Sequence, residues 1–438
     1  NSVFRINERE TFDVEGHYIF DELESGKSAT VKANLASGTR SAHARNHLRA
    51  DIYSTELKAY LQKGRSYFES GLRYQFDRID DSLNEYSVID TAGDTSAGRG
   101  LSDVVSSENQ VSTSRISFYM QDVVAINSRL TLSAGVRGNF NTGNREFLLT
   151  PRVSLAFQPQ NPDVTYRFAA GSYSQPSFYR EMRMFNGQLV HNTRAQRSVH
   201  FLAGLDRSFV KLNTRIKFTS EVYYKALSDL VPYKIENLRV RYLADQRAKG
   251  YAAGVDLSFS GELVKDMESS FRLSLMKTME DIEGDFFNRT TASGSTERVE
   301  PGLLKRPADQ RINASVFFQD KLFNSPSNKV HLTLLYGSSL PVGPPQTERY
   351  RDVFKIPAYK RADIGFSKDF LDASLQRRSA KLNKYFSSFI LYAGVFNLLD
   401  NNNTVSYLWL KDAYDNQYAI PNYLSGRRLN VKLIAGFK

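Results

Sequence analysis

The chain has 438 residues, with 58 Lys plus Arg against 47 Asp plus Glu and a formal net charge of +11. It contains no cysteine, which excludes disulfide scaffolds, thiolate metal sites and cysteine nucleophiles. No run approaches the roughly 18 apolar residues of a membrane-crossing helix, and the basic residues are dispersed, without the dense patch or basic helix of a nucleic-acid binder.

A soluble chain of this length normally divides into two or three domains. No Pro-rich or Gly/Ser-rich linker, coiled-coil heptad or change of texture marks such a boundary, so residues 1–438 read as a single domain. Its texture is alternation at a period of two. In chain order, strands are expected near residues 9–22, 28–38, 50–63, 65–79, 110–125, 128–142, 145–158, 162–173, 196–210, 214–230, 247–260, 267–279, 308–320, 328–339, 358–369, 384–398 and 426–438, about seventeen in all. Leu130, Leu132, Ala134, Val136 and Phe140 oppose Thr131, Ser133, Arg137 and Asn139, and Ile216, Phe218, Val222, Tyr224 and Ala226 oppose Arg215, Lys217, Thr219, Glu221 and Lys225. Helical spacing explains neither set.

One greasy face and one charged face on strand after strand describe a wall between lipid and water. The expected fold is all-β, an antiparallel transmembrane β-barrel. Arg137, Arg167, Arg215, Lys217, Glu221 and Asp256 fall on the lumenal register, because a cation facing lipid at mid-depth costs roughly 2–4 kcal/mol. The 24 Tyr and 29 Phe suit aromatic girdles at the two bilayer interfaces, although a soluble β-sandwich core would use Phe equally well.

Connections alternate in length. Long ones are expected at 80–109, 174–195, 231–246, 280–307, 340–357 and 399–425, and short ones at 126–127, 211–213, 261–266 and 321–327. Outer-membrane barrels have long extracellular loops and short periplasmic turns, so the last strand runs inward. With about seventeen strands the first also runs inward, and such a sheet cannot close antiparallel on itself. An open edge in lipid leaves backbone groups unsatisfied at several kcal/mol each. Further strands are therefore expected upstream of Asn1, where no signal peptide is visible.

Several stretches resemble the C-terminal barrel of TonB-dependent outer-membrane receptors, especially those of Bacteroidetes-type bacteria. They are SFYMQDVVAINSRLTLSAGVRGNF (117–140), LLTPRVSLAFQP (148–159), SQPSFYREMR (174–183), KRPADQRINASVFFQDKL (305–322), IPAYKRADIGFSKDF (356–370), AGVFNLLDNNNTVSYLWL (393–410) and YAIPNYLSGRRLNVKLIAGFK (418–438). The resemblance implies a twenty-two-stranded barrel filled by an N-terminal plug, preceded by a short box that pairs with TonB. This chain would then be strands six to twenty-two, with plug, box and first strands absent from it. One departure is Lys438 after Phe437, since such barrels commonly finish on an aromatic residue; the signal tolerates one extra residue or the chain continues.

Enzymatic chemistry finds little support, and no catalytic, cofactor-binding or metal-ligating residue is assigned. Among His17, His43, His47, His191, His200 and His331, only His43 and His47 are close in sequence, in a stretch expected to be a loop. Asp80 with Asp81, and Asp281 with Glu283, are carboxylate groupings in expected extracellular loops, where solvated charge is the ordinary reading and a divalent cation the alternative. The Gly-rich GDTSAGRG at 93–100 lacks the Lys-Ser/Thr ending of a phosphate loop. Phe178, Tyr179, Arg180 and Arg183, with Tyr407 and Trp409, are candidate ligand contacts. They belong to the motifs that carry the resemblance, so they are expected to hold loop architecture, and specificity is expected from 80–109 and 280–300.

The resemblance implies an active transporter of the outer membrane, without cofactor, importing an iron chelate, oligosaccharide, peptide or similar nutrient. Its implied partners are the TonB energy-transducing complex, lipopolysaccharide, and a surface lipoprotein; no nucleic acid is expected. A passive porin or assembly barrel, and a soluble β-rich glycan-binding protein, are the alternatives.

Overall fold

A strand with one apolar and one polar face still carries unpaired backbone N–H and C=O groups along both edges, and lateral pairing is what satisfies them. In the computed structural model, which describes residues 4–19, 38–91, 100–211, 214–236, 239–264, 267–291, 294–345, 347–372, 380–411 and 417–438, that pairing builds one large antiparallel sheet. Its long strands are β1 (Phe4–Ile19), β2 (Gly38–Lys63), β3 (Ser66–Thr91), β4 (Gly100–Ala125), β5 (Leu130–Asn141), β6 (Glu146–Phe157), β7 (Val164–Gln175) and β8 (Gln196–Lys211). The series continues with β9 (Thr214–Leu230), β10 (Ala248–Val264), β11 (Met267–Ile282), β12 (Ile312–Lys321), β13 (Asn328–Gly337), β14 (Tyr359–Asp369), β15 (Phe386–Phe396) and β16 (Arg428–Phe437). Each pairs with the next in sequence, from Ile19 opposite Thr39 to Phe386 opposite Phe437. No helix among the described residues is long and apolar enough to cross a membrane.

The strand expected at 28–38 lies outside the described residues apart from Gly38. The sixteen long strands among the described residues put β1 and β16 in opposite directions, so the parity argument for an inward first strand does not carry over. Among the described residues no ladder joins β1 to β16, and these two strands are the edges of the sheet.

The expected loop at 80–109 is corrected as well. β2, β3 and β4 are each 26 residues long, whereas about 9–11 residues cross a bilayer. The β3–β4 ladder runs from Ser66 opposite Val124 to Ile89 opposite Gly100, while β5 meets β4 only along Arg115–Ala125. The three strands therefore rise past β5 as a fin on the long-loop rim, with β1 paired along the fin from Ser54 to Thr39 of β2. Alternation could not announce this part, because the fin does not separate lipid from water along residues such as Ser106, Ser107, Glu108 and Asn109. The other long connections carry small hairpins of their own: Tyr233–Glu236 with Arg239–Tyr242, Phe287–Thr290 with Thr296–Val299, Leu340–Val342 with Phe354–Ile356, and Thr404–Lys411 with Gln417–Tyr423.

Register fixes the two faces of the wall. Phe168, Phe201, Val222 and Tyr224 form an exposed apolar band across β7, β8 and β9. On the opposite face Arg167 reaches Asp206 at 3.1 Å and Glu221 at 3.8 Å, with Asp256 opposite Glu221. Adjacent residues 221 and 222 thus stand on opposite sides. Val222→Arg is expected to lose roughly 2–4 kcal/mol at mid-depth and to sharply reduce the heat-modifiable, folded band in outer-membrane fractions. Glu221→Arg should reduce that band much less; equal yields would reverse the facing.

Candidate functional site

The long-loop rim closes over the inner face of the fin. Asp81 lies on β3 in the same register as Arg73, Gln75 and Asp77, and it is buried. The Tyr179 hydroxyl donates to Asp81 Oδ2 at 2.6 Å, and Arg183 Nη1 donates to the same oxygen at 2.8 Å. Burial, then the Asp81 carboxylate, pushes the Tyr179 hydroxyl well above its ordinary pKa. Further along the same loop, Asn109 Nδ2 donates to the Gly187 carbonyl at 2.9 Å, Asn144 Nδ2 to the Thr193 carbonyl at 3.0 Å, and the Ala195 N–H to Glu146 Oε2 at 2.9 Å. Glu181, also buried, accepts from Gln196 Nε2 at 2.6 Å and from the Phe178 N–H at 3.2 Å. Burial raises its carboxyl above the usual range despite these bonds, because desolvation outweighs them.

The hairpin of residues 233–242 continues the closure. Arg239 Nη1 lies 3.3 Å and Arg241 Nη2 3.7 Å from the carboxylate of Glu85, on the fin, and Arg241 Nε lies 2.8 Å from Glu236. Phe178 meets Tyr242 edge to face at 5.5 Å between ring centroids. On its other side the hairpin sends Lys234 Nζ to the carbonyls of Pro344 and Thr347, at 2.8 and 2.7 Å, and to within 3.1 Å of Asp352. Asp352 pairs with Arg349, whose Nη2 lies 3.0 Å from Glu280 Oε1 and donates to the Lys305 carbonyl at 2.7 Å. Arg306 Nε completes the chain at 3.1 Å from Glu280 Oε2.

Lys234, Glu280 and Arg349 are 2%, 0% and 3% exposed, so this is an interior ion network joining two loops to the end of β11. Burial lowers the Lys234 pKa, and the Asp352 carboxylate opposes that shift. Buried pairs add little net stability compared with apolar residues of the same volume, but removing one partner strands the other charge at a cost of about 3–5 kcal/mol. The result is a brace running from the fin through two loops to the end of β11.

Several sequence candidates meet in this brace. Tyr179 and Arg183 join Asp81, two sets that the sequence offered separately, and Phe178 packs on the neighbouring hairpin. Asp80 accepts from Gln110 Nε2 at 2.6 Å and Glu283 pairs with Lys249 at 2.9 Å. Tyr407 and Trp409 share the hairpin of residues 404–423, where Trp409 packs edge to face on Phe354 at 5.6 Å. His43 and His47 lie on β2 and not in a loop; four residues apart on a strand is roughly 13 Å, too far for one metal ion. The side chains of His17 and His43 lie outside the described residues, as do residues 93–99 of the Gly-rich stretch. His200 stacks on Tyr173, and His331 Nε2 lies 3.1 Å from Ser367 Oγ. No group of three His, Asp or Glu suited to a metal ion occurs among the described residues.

Sequence reading missed Glu85, Lys234, Glu280, Arg306, Arg349 and Asp352. A buried loop charge and a solvated one look alike in sequence, and the partners lie up to 154 positions apart.

Residues 5–398 match the family model described as "TonB dependent receptor-like, beta-barrel". No curated protein matches the sequence. Among solved structures, the siderophore receptor PiuA from Acinetobacter baumannii is similar with a TM-score of 0.58 at 13% identity, over 98% of this chain and 64% of that one. The ferric-catecholate import receptor Fiu from K12 E. coli gives 0.59 at 12% identity, over 97% and 60%. The copper transporter OprC gives 0.59 at 10% identity, over 97% and 64%. The chain thus spans less than two thirds of the length of these structures, and at such identities the likeness is one of fold.

Two outcomes are expected from breaking the brace. Glu280→Gln should leave Arg349 undercompensated, weaken the rim locally by up to about 3–5 kcal/mol and speed amide hydrogen exchange in 338–358 while the wall strands keep their protection. Asp81→Ala should release the 176–195 loop and make the bonds after Arg180 and Arg183 cleavable by trypsin in intact cells.

Proposed function

The chain belongs to the TonB-dependent receptor-like β-barrel family, and from that membership we propose that the protein is an active transporter of the outer membrane, importing a scarce nutrient through this barrel. The observation that carries the reading is the union of a family match over residues 5–398 with a mouth assembled from braced long loops above a charged lumenal face. The long-loop rim faces outward and binds the ligand. Passage is gated by an N-terminal plug filling the lumen and pulled by the TonB complex, with strands preceding β1 completing the wall. The barrel makes and breaks no bond.

Metal chelates are the first ligand class to try, since PiuA is a siderophore receptor, Fiu a ferric-catecholate import receptor and OprC a copper transporter. Oligosaccharides and peptides follow. Lipopolysaccharide surrounds the wall, and a surface lipoprotein over the mouth is a further partner in this reading, which retains the likeness of the sequence motifs to Bacteroidetes-type receptors.

Deleting the gene should abolish accumulation of one ligand class from a panel of labelled ferric siderophores, copper, oligosaccharides and peptides. A protonophore should stop the same uptake in the undeleted strain. Uptake that continues after the inner-membrane gradient has collapsed would instead favour the passive porin.

A further inference from the structure

On the lumenal register of β3 to β6, four arginines stand on four adjacent strands: Arg73, Arg115, Arg137 and Arg152. Arg73 lies opposite Ser117, Arg115 opposite Gln75, Arg137 opposite Thr150 and Arg152 opposite Gly171. Together they line a recess of about 400 Å³ with neutral donors such as Ser117 and Asn139 between them. Asp77 pairs with Arg115. Arg73, Arg137 and Arg152 form no ion pair among the described residues.

Four guanidiniums around one recess repel one another, and Asp77 on Arg115 together with Glu56 opposite Arg73 offsets only part of that. The arrangement also leaves donors unused. Nε of Arg73 and Nε of Arg115 are buried without a hydrogen-bond partner, a deficit that folded proteins rarely leave unfilled. Arg152 is nonetheless held in place. Arg152 crosses Gly171, where a Cβ would come within 3.0 Å of Arg152 Cγ, and its guanidinium lies 4.5 Å from the centre of the Tyr173 ring. Across β7 the composition reverses: Arg167, over Gly204, is met by Asp206 and Glu221, with Asp256 beside them. The cationic recess is thus a bounded feature of the lumenal face.

We propose that this recess binds the carboxylate or phosphate group of a small anionic ligand, through the forked N–H groups of Arg137 and Arg152 with Arg73 as a third donor. Planar guanidiniums match both anions bidentately, and the bound group supplies the negative charge that the recess lacks. The inference rests on the transport reading in taking the anion to be part of the cargo.

Titration calorimetry at low salt on the full-length protein, purified in detergent, tests it with inorganic pyrophosphate in one arm and citrate in the other. Saturable one-to-one binding is expected in at least one arm, and the stronger arm names the anion. Combined Arg137→Gln and Arg152→Gln should weaken that binding at least about tenfold, while Arg129→Gln, exposed in the short turn before β5 at the opposite end of the wall, leaves it unchanged. Heat-modifiable mobility reports folding, and Arg73→Gln alone, expected to weaken binding severalfold, serves where the double variant does not assemble. Absence of saturable binding in both arms, or unchanged affinity in a folded variant, overturns the proposal. The measurement needs no energised inner membrane, so its failure leaves uptake untouched, and failure of uptake leaves this binding in place.

Discussion

Everything in this molecule answers to one constraint: within hydrocarbon no water is present to satisfy a backbone N–H or C=O. A sheet meets that demand laterally, strand by strand, and its side chains are then free to differ between faces. Val222 faces outward and Glu221 inward because the peptide groups between them are already engaged with β8 and β10. The uninterrupted succession of neighbouring antiparallel pairs from β1 to β16 follows from the same demand. So does the placement of irregular backbone, gathered into connections beyond the wall.

Above the wall the physics changes. The fin and the long loops adjoin water, and their order comes from side chains and not from the ladder alone. Asp81, Glu85 and Glu280 each collect cations from distant segments. Such charges are expensive to bury and more expensive to leave alone. The geometry of the mouth is therefore held by the penalty for breaking pairs more than by any gain from making them.

This division explains what could be read from the sequence. Wall strands such as β5 and β9 were legible because lipid on one side and water on the other write themselves into residues 130–140 and 214–226. The fin was not, since residues 80–91 and 100–109 gain nothing from alternating, and charged stretches there look like loops. Tyr179, Arg183 and Asp81 were each noticeable, yet nothing local ties position 81 to positions 179 and 183. Arg73, Arg115, Arg137 and Arg152 are spaced by strand and turn lengths, so their convergence depends on register across four strands. Only pairing partners reveal it.

The brace also bears on how such a mouth changes over generations. A substitution at Lys234, Arg349 or Glu280 disturbs segments far apart in the chain, so these positions can vary only in concert. The hairpin of residues 287–299 is different: its Arg289–Glu297 pair is more than half exposed on both sides, and such a pair contributes about 0–1 kcal/mol. Tied to the rest through contacts such as Phe287 against Tyr350, it can diversify while the scaffold stays intact. A fixed frame with a freely mutable fringe is an arrangement in which recognition of new molecules evolves without first sacrificing the fold.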